Sequence, residues 1–184
     1  MLHWFWKRWL KWGGWKVDAF PIQIHKCVII VGPHTSSSDF ILGLALRSEM
    51  NLQGAKFLPK AELFKGPFGF IFKWLGGIPV DRSGKQNLVE QVVAQFNAHQ
   101  YFRLAISPEG TRQKVAKLKT GFYHIAKQAH VPIVMVGFDF ANKHAVCSVP
   151  FYTTDNEASD FNFILNFFAP IQGKVAENSM SHLV

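Results

Sequence analysis

His34-Thr35-Ser36-Ser37-Ser38-Asp39 places an imidazole and a carboxylate within reach of one tight turn. Further along, Pro108-Glu109-Gly110-Thr111-Arg112 sets a carboxylate, a glycine, a hydroxyl and a guanidinium at consecutive positions. A histidine held at one ring nitrogen by a carboxylate keeps a fixed tautomer, and its other nitrogen is left as a base. Such a pair can take a proton from an attacking hydroxyl without any protein nucleophile. A glycine lets backbone amides approach an oxyanion, and a guanidinium can clamp a phosphate through two parallel bonds. Together the strings point to a base that activates a hydroxyl beside a pocket that holds a phosphate.

Each string alone also has a plain structural reading. Residues five apart on a continuous helix differ by roughly 140°, so His34 and Asp39 meet only if His34 lies on a loop and Asp39 in the first helical turn. Ser36, Ser37 and Ser38 suit that turn, since their hydroxyls can cap helix amides; a capping turn with an incidental histidine has the same spacing. No G-x-S-x-G elbow surrounds these serines, which argues against a serine hydrolase. Glu109 to Arg112 also reads as a solvated turn with a surface ion pair. Lys114, Lys117 and Lys119 extend its positive character, with Lys119 a further residue near the phosphate. Gly77-Ile-Pro-Val-Asp-Arg82 is a strand end that delivers Arg82 to the same face, or an ordinary connection with an exposed arginine.

These strings need elements to position them. Cys27–Val31 and Phe102–Ile106 are short apolar runs that read as buried strands. The spacing predicts helices over 38–49, 68–75, 86–99 and 121–130, and further strands over 56–58, 78–80, 132–138 and 145–152. Residues 159–168 fit either a helix or a strand, and the polar tail after Gly173 reads as loose. Strands alternating with helices predict an α/β fold: a single domain with a largely parallel sheet flanked by helices. Ligands in such folds sit outside the carboxyl ends of the strands, where both strings fall.

The 184 residues suffice for one domain with its own core. Apolar residues make up 48%, which excludes a disordered chain, and the net charge of +8 favours anionic partners. Cys27 and Cys147 lie in apolar runs and form no CxxC, so they read as free thiols and not as zinc ligands. No apolar run reaches the ~20 residues that span a bilayer, and the N-terminus lacks the pattern of a signal peptide. Residues 1–17 instead interleave five tryptophans with Lys7, Arg8, Lys11 and Lys16. On a helix, Leu2, Phe5, Trp6, Trp9 and Trp12 form a stripe. This reads as an interfacial helix on an anionic membrane surface, ending at Gly13-Gly14, or as a helix that covers the core. The basic residues form no further stripe, so nucleic acid is not an expected partner. The organisation expected is an interfacial segment over 1–17, a domain over 18–173 and a tail over 174–184, on the cytoplasmic face of an inner membrane.

Taken in chain order, the strings resemble the four blocks of the lysophospholipid/glycerophospholipid acyltransferase family. His34 and Asp39 correspond to its first block, Gly77 to Arg82 to the second, Glu109-Gly-Thr-Arg112 to the third, and Val131-Pro-Ile-Val134 to the fourth. The chain is most similar to the short bacterial 1-acylglycerol-3-phosphate acyltransferase-like members. The resemblance implies that His34 is the general base and Asp39 its orienter. It implies that Arg82, Glu109, Gly110, Thr111 and Arg112 bind the phosphorylated acceptor, a lysophospholipid such as lysophosphatidic acid. The donor it implies is an acyl thioester on coenzyme A or acyl carrier protein, with neither metal nor other cofactor. Pro33 stands where many members have asparagine, and Val134 continues into Met135 and not into a second proline. A catalytically silent lipid-binding protein and a thioesterase are the alternatives.

Overall fold

The computed structural model describes residues 2–58, 64, 66, 69–78 and 87–184. The chain opens with helix α1 (Leu2–Trp12), strand β1 (Lys16–Val17), strand β2 (Lys26–Gly32) and helix α2 (Ser38–Glu49). Strand β3 (Lys56–Phe57), helix α3 (Gly69–Trp74), helix α4 (Leu88–Ala98) and strand β4 (Phe102–Ile106) follow. Helix α5 (Gly121–Ala129), strands β5 (Ile133–Asp139) and β6 (His144–Cys147), and helix α6 (Glu157–Phe168) complete the regular elements before two 3₁₀ turns. The six strands form one sheet in the order β1-β6-β5-β2-β4-β3. Every neighbouring pair is parallel except β5 and β6.

Side chains alternate across the central strands, as the two-residue period requires. Val28 and Ile30 of β2, with Ile133 and Met135 of β5, join the core under α4, α5 and α6. Cys27, Ile29, Val134 and Val136 turn to the opposite core, under α1 and α2. A strand buried on both faces needs an unbroken apolar run, which is why β2 and β5 are apolar almost throughout.

The expected single α/β domain with a largely parallel sheet is what the chain forms. The expected strand over 145–152 is shorter, since only His144–Cys147 pairs regularly and Phe151 returns as an isolated bridge to Ile133. The 159–168 stretch is a helix, capped by the Asn156 side chain on the Ser159 amide. Gly77 bridges Phe57 at the β3 edge; of the strand expected over 78–80, Pro79 and Val80 lie outside the described residues.

Helix α1 ends where the glycines predict. Gly14 takes a left-handed φ of +75, and the Trp15 amide bonds back to the Leu10 carbonyl at 2.9 Å. Its buried face differs from the predicted stripe. Leu10 is 2% exposed and Trp6 packs beside it over the α2 core, while His3 Nδ1 lies 3.1 Å from the Ser48 carbonyl oxygen. Trp4, Phe5, Trp9 and Trp12 stay exposed. The helix thus covers the core with one edge and presents aromatics with another. Behind it, Asp18 accepts from the Cys147 amide at 3.1 Å and lies 2.7 Å from His144 Nε2. Burial would raise the Asp18 carboxyl; the bonds from His144 and Cys147 outweigh it and hold it below its usual range.

The tail is not loose. It folds back under the sheet's carboxyl end through turns at Ala176–Asn178 and Ser181–Leu183, with Met180 1% exposed. Met180 fills the space a side chain at Gly32 would occupy, and Ile171 does the same at Gly137. Cys27 is buried, Cys147 is half-buried, and both are free. Burial pushes their thiols up to about 12 and about 11.

Candidate active site

Strands β2 and β4 run side by side and parallel, with Ile30 opposite Ile106. Their carboxyl ends therefore deliver the His34 turn and the Glu109 string to neighbouring places. His34 follows a cis peptide bond between Gly32 and Pro33. Asp39 is the second residue of α2, so the loop-and-first-turn geometry predicted for the pair is the one adopted.

Asp39 Oδ2 lies 3.0 Å from His34 Nδ1. The same oxygen accepts the backbone N–H groups of Thr35 and Ser36, both at 2.8 Å. The imidazole and the two amides thus converge on one oxygen in the first turn of α2. Of the serines, Ser36 accepts the amide of Ser38, the first residue of α2, on its hydroxyl at 3.3 Å, while the side chain of the N-cap Ser37 caps no amide. Asp39 itself turns back to satisfy the turn. Its side chain is 1% exposed, that of His34 33%. With Nδ1–H donating to Asp39, Nε2 is the nitrogen left to act as a base.

Glu109 takes a place that its neighbours in sequence do not. It is 1% exposed, and its Oε2 accepts the His34 amide at 2.7 Å and the Ser107 hydroxyl at 3.4 Å. It thus turns inward beneath the His34 turn and lies outside the cleft that Gly110, Thr111 and Arg112 line. Burial pushes its carboxyl up to about 7, against the lowering pull of the His34 amide and Ser107. Gly110 takes a φ of +67, the left-handed region that a side chain disfavours. Its own amide bonds the Ser107 carbonyl at 3.3 Å.

Two clefts meet at His34. One, of about 260 Å³, is lined mainly by apolar residues of the sheet and α2, among them Val31, Leu46, Met50 and Phe138. The other, of about 580 Å³, is bordered by Gly110, Thr111, Arg112 and Lys119. His34, Phe57, Ala105, Ile106 and Ser107 border both. The structure therefore brings His34, Asp39, Gly110, Thr111, Arg112 and Lys119 to one place. Arg82 lies outside the described residues. Ser107, shared by both clefts and bonded to Glu109, was not singled out by its sequence; its position immediately after a buried strand is the signal that marks it. Among the described residues no cluster of histidine, cysteine and acidic side chains could hold a metal ion.

With the aspartate-held histidine and the basic loop placed at the carboxyl end of the parallel sheet, the chain's sequence relatives can be set beside them. The family model described as Acyltransferase matches residues 5–139, so the chain belongs to the acyltransferase family. It is 29% identical over 143 residues to the 1-acyl-sn-glycerol-3-phosphate acyltransferase beta of Homo sapiens, covering 74% of this chain and 50% of that protein. It is 35% identical over 112 residues to the 1-acyl-sn-glycerol-3-phosphate acyltransferase of Cocos nucifera, covering 58% and 35%. The alpha protein of Homo sapiens is 34% identical over 116 residues, covering 59% and 39%. The chain thus spans half or less of the length of these curated relatives. No solved structure matches it significantly.

Proposed function

We propose that this chain is an O-acyltransferase that moves a fatty acyl group from an acyl thioester to a free hydroxyl of lysophosphatidic acid. The observation that carries this reading is the position of His34, held by Asp39 where an apolar cleft meets a basic one. An acyl chain is apolar and a lysophosphatidic acid headgroup is anionic, so the two substrates call for such neighbouring clefts. The printed names of the relatives support the same acceptor.

In this mechanism Arg112 and Lys119 hold the phosphate, and Thr111 with the amides around Gly110 orients it. Arg82 keeps the phosphate-binding role that the family resemblance implies. His34 Nε2 takes the proton of the acceptor hydroxyl as its oxygen bonds the thioester carbonyl carbon. Asp39 stabilises the imidazolium that results. Collapse of the tetrahedral adduct breaks the C–S bond, and the imidazolium returns its proton to the departing thiolate. The products are a free thiol and a diacylated phospholipid, and His34 is regenerated. The thiol belongs to coenzyme A or acyl carrier protein. Glu109 acts from beneath, anchoring the backbone of the base.

The lipid products call for a membrane, and among the described residues no helix is long and apolar enough to cross one. The exposed aromatics of α1, beside Lys7, Arg8 and Lys11, suit peripheral docking on anionic headgroups of the cytoplasmic leaflet. The test is thiol release from acyl-coenzyme A with lysophosphatidic acid, for the native chain and for His34→Ala. Release that needs the acceptor and is lost in the variant is the expected result. Release without acceptor means hydrolysis. No release with coenzyme A or carrier-protein thioesters across a panel of lysophospholipids leaves a silent lipid binder and overturns the reading.

A further inference from the structure

The family match ends at residue 139, yet the chain beyond it reaches back to both strings of the site. Gly173 lies against Thr35 so closely that a Cβ would come within 2.5 Å of the threonine methyl. The next residues bond the same turn: the Val175 amide donates to Thr35 Oγ1 at 3.1 Å and Lys174 Nζ to Ser38 Oγ at 3.0 Å. Met180 fills the hollow over Gly32, two residues before His34. On its other side the segment holds the basic loop. Asn178 Nδ2 donates to the Arg112 carbonyl at 3.1 Å, and His182 Nε2 lies 2.7 Å from the Val115 carbonyl oxygen.

Glu109 and Leu118 are buried and hold the two ends of the loop, so the outside hold falls on its middle. Residues 107–120 form no helix or strand, and the Lys119 amide on the Pro108 carbonyl, at 2.7 Å, closes only its ends. Arg112 sits at its exposed middle. Glu109 ties the start of the loop to the His34 amide, and a second path, through residues 173–182, ties the Arg112 backbone to the same turn. The path is cross-braced by the Gly173 amide on Ser179 Oγ at 2.9 Å.

We propose that segment 171–184 is a positioning strap for the site, with Asn178 as the residue that sets the Arg112 loop against the His34 turn. This rests on the acyltransferase reading, with Arg112 as a phosphate ligand. No residue of the strap lines either cleft, so its loss acts on acceptor binding through the loop.

The test compares the native chain with Asn178→Ala and the isosteric Asn178→Asp, in the full chain, by two readouts. With lysophosphatidic acid, the KM for the acceptor is expected to rise roughly three- to tenfold, as for one lost hydrogen bond to a carbonyl. The kcat and the KM for acyl-coenzyme A stay within about twofold. Hydrogen exchange is expected to speed up at amides 110–115 and to stay unchanged in β5. Unchanged exchange in the loop, or an unchanged acceptor KM in an active enzyme, overturns the proposal. A uniform rise that includes the β5 amides marks a merely structural role and overturns it equally. If the native chain transfers no acyl group, the functional reading falls, and the exchange comparison still decides whether Asn178 holds the loop.

Discussion

At the scale of residues, two carboxylates sit within reach of one histidine and do different work. Asp39 faces the ring and Glu109 faces the backbone. In the proposed mechanism Asp39→Asn keeps the shape and removes the charge assigned to stabilising the imidazolium. Its acyl transfer is expected to fall by about 10²- to 10⁴-fold, the span of general-base catalysis, in the thiol-release assay. Glu109 governs stability instead. Its carboxyl ordinarily titrates at 4.5 and in the fold at about 7. Between these values the folded chain holds a proton that the unfolded chain has released, so stability is full below the lower value and falls as pH rises through the window. Above the upper value the loss is complete, on the order of 3 kcal/mol. Urea unfolding at pH 4.5 and pH 8 checks this. The Glu109→Gln variant, which has nothing to ionise, should lose that pH dependence and keep the acceptor for the His34 amide.

At the scale of elements, α1 divides its aromatic and aliphatic residues between two environments. Leu10→Ala opens a cavity beneath the helix and is expected to cost about 2–5 kcal/mol in chemical unfolding. Trp12 is 93% exposed, so Trp12→Ala should leave stability within about 0.5 kcal/mol. Combined with Trp4→Ala, it should weaken sedimentation with vesicles containing anionic lipid. The division explains what could be read in advance. The helix itself, its glycine stop, the strand Phe102–Ile106 and the helix Ser38–Glu49 follow from local periodicity and capping chemistry, and so were legible. The choice of Leu10 as the anchor was not, because it depends on where α2 lies. The antiparallel β6 and the two-residue β1 likewise depend on partners far away in the chain. The His34–Asp39 geometry was legible from turn chemistry. The inward direction of Glu109 was not, since a carboxylate in a polar string looks solvated until β2 and β4 are placed side by side. In the tail, Met180 was the signal of burial, outweighed by its polar surroundings.

At the scale of the whole molecule, two clefts share one wall, and the proposed reaction assigns the acyl chain to one and the phosphate to the other. Gly43 borders the apolar cleft, and a Cβ there meets nothing nearer than Phe138 at 3.8 Å. Gly43→Leu is therefore expected to shift preference toward shorter acyl thioesters while the acceptor KM holds. Arg112→Ala should do the reverse, raising the acceptor KM by about tenfold or more, as for a lost charge-assisted bond; steady-state kinetics with each substrate varied in turn checks both. The net charge of +8 adds a long-range pull toward anionic surfaces. Vesicle binding should weaken as salt shortens the screening length to about 10 Å at 0.1 M. One architectural detail reaches further than catalysis. Gly32 and Gly137 leave openings in the two central strands, and the side chains that plug them, Met180 and Ile171, come from the far end of the chain. A fragment cut at residue 139 would carry the whole of the family match and still have two holes in its core. The minimal unit able to fold alone is thus larger than the unit by which the family is recognised, and fragments for expression or domain fusion have to run past Met180.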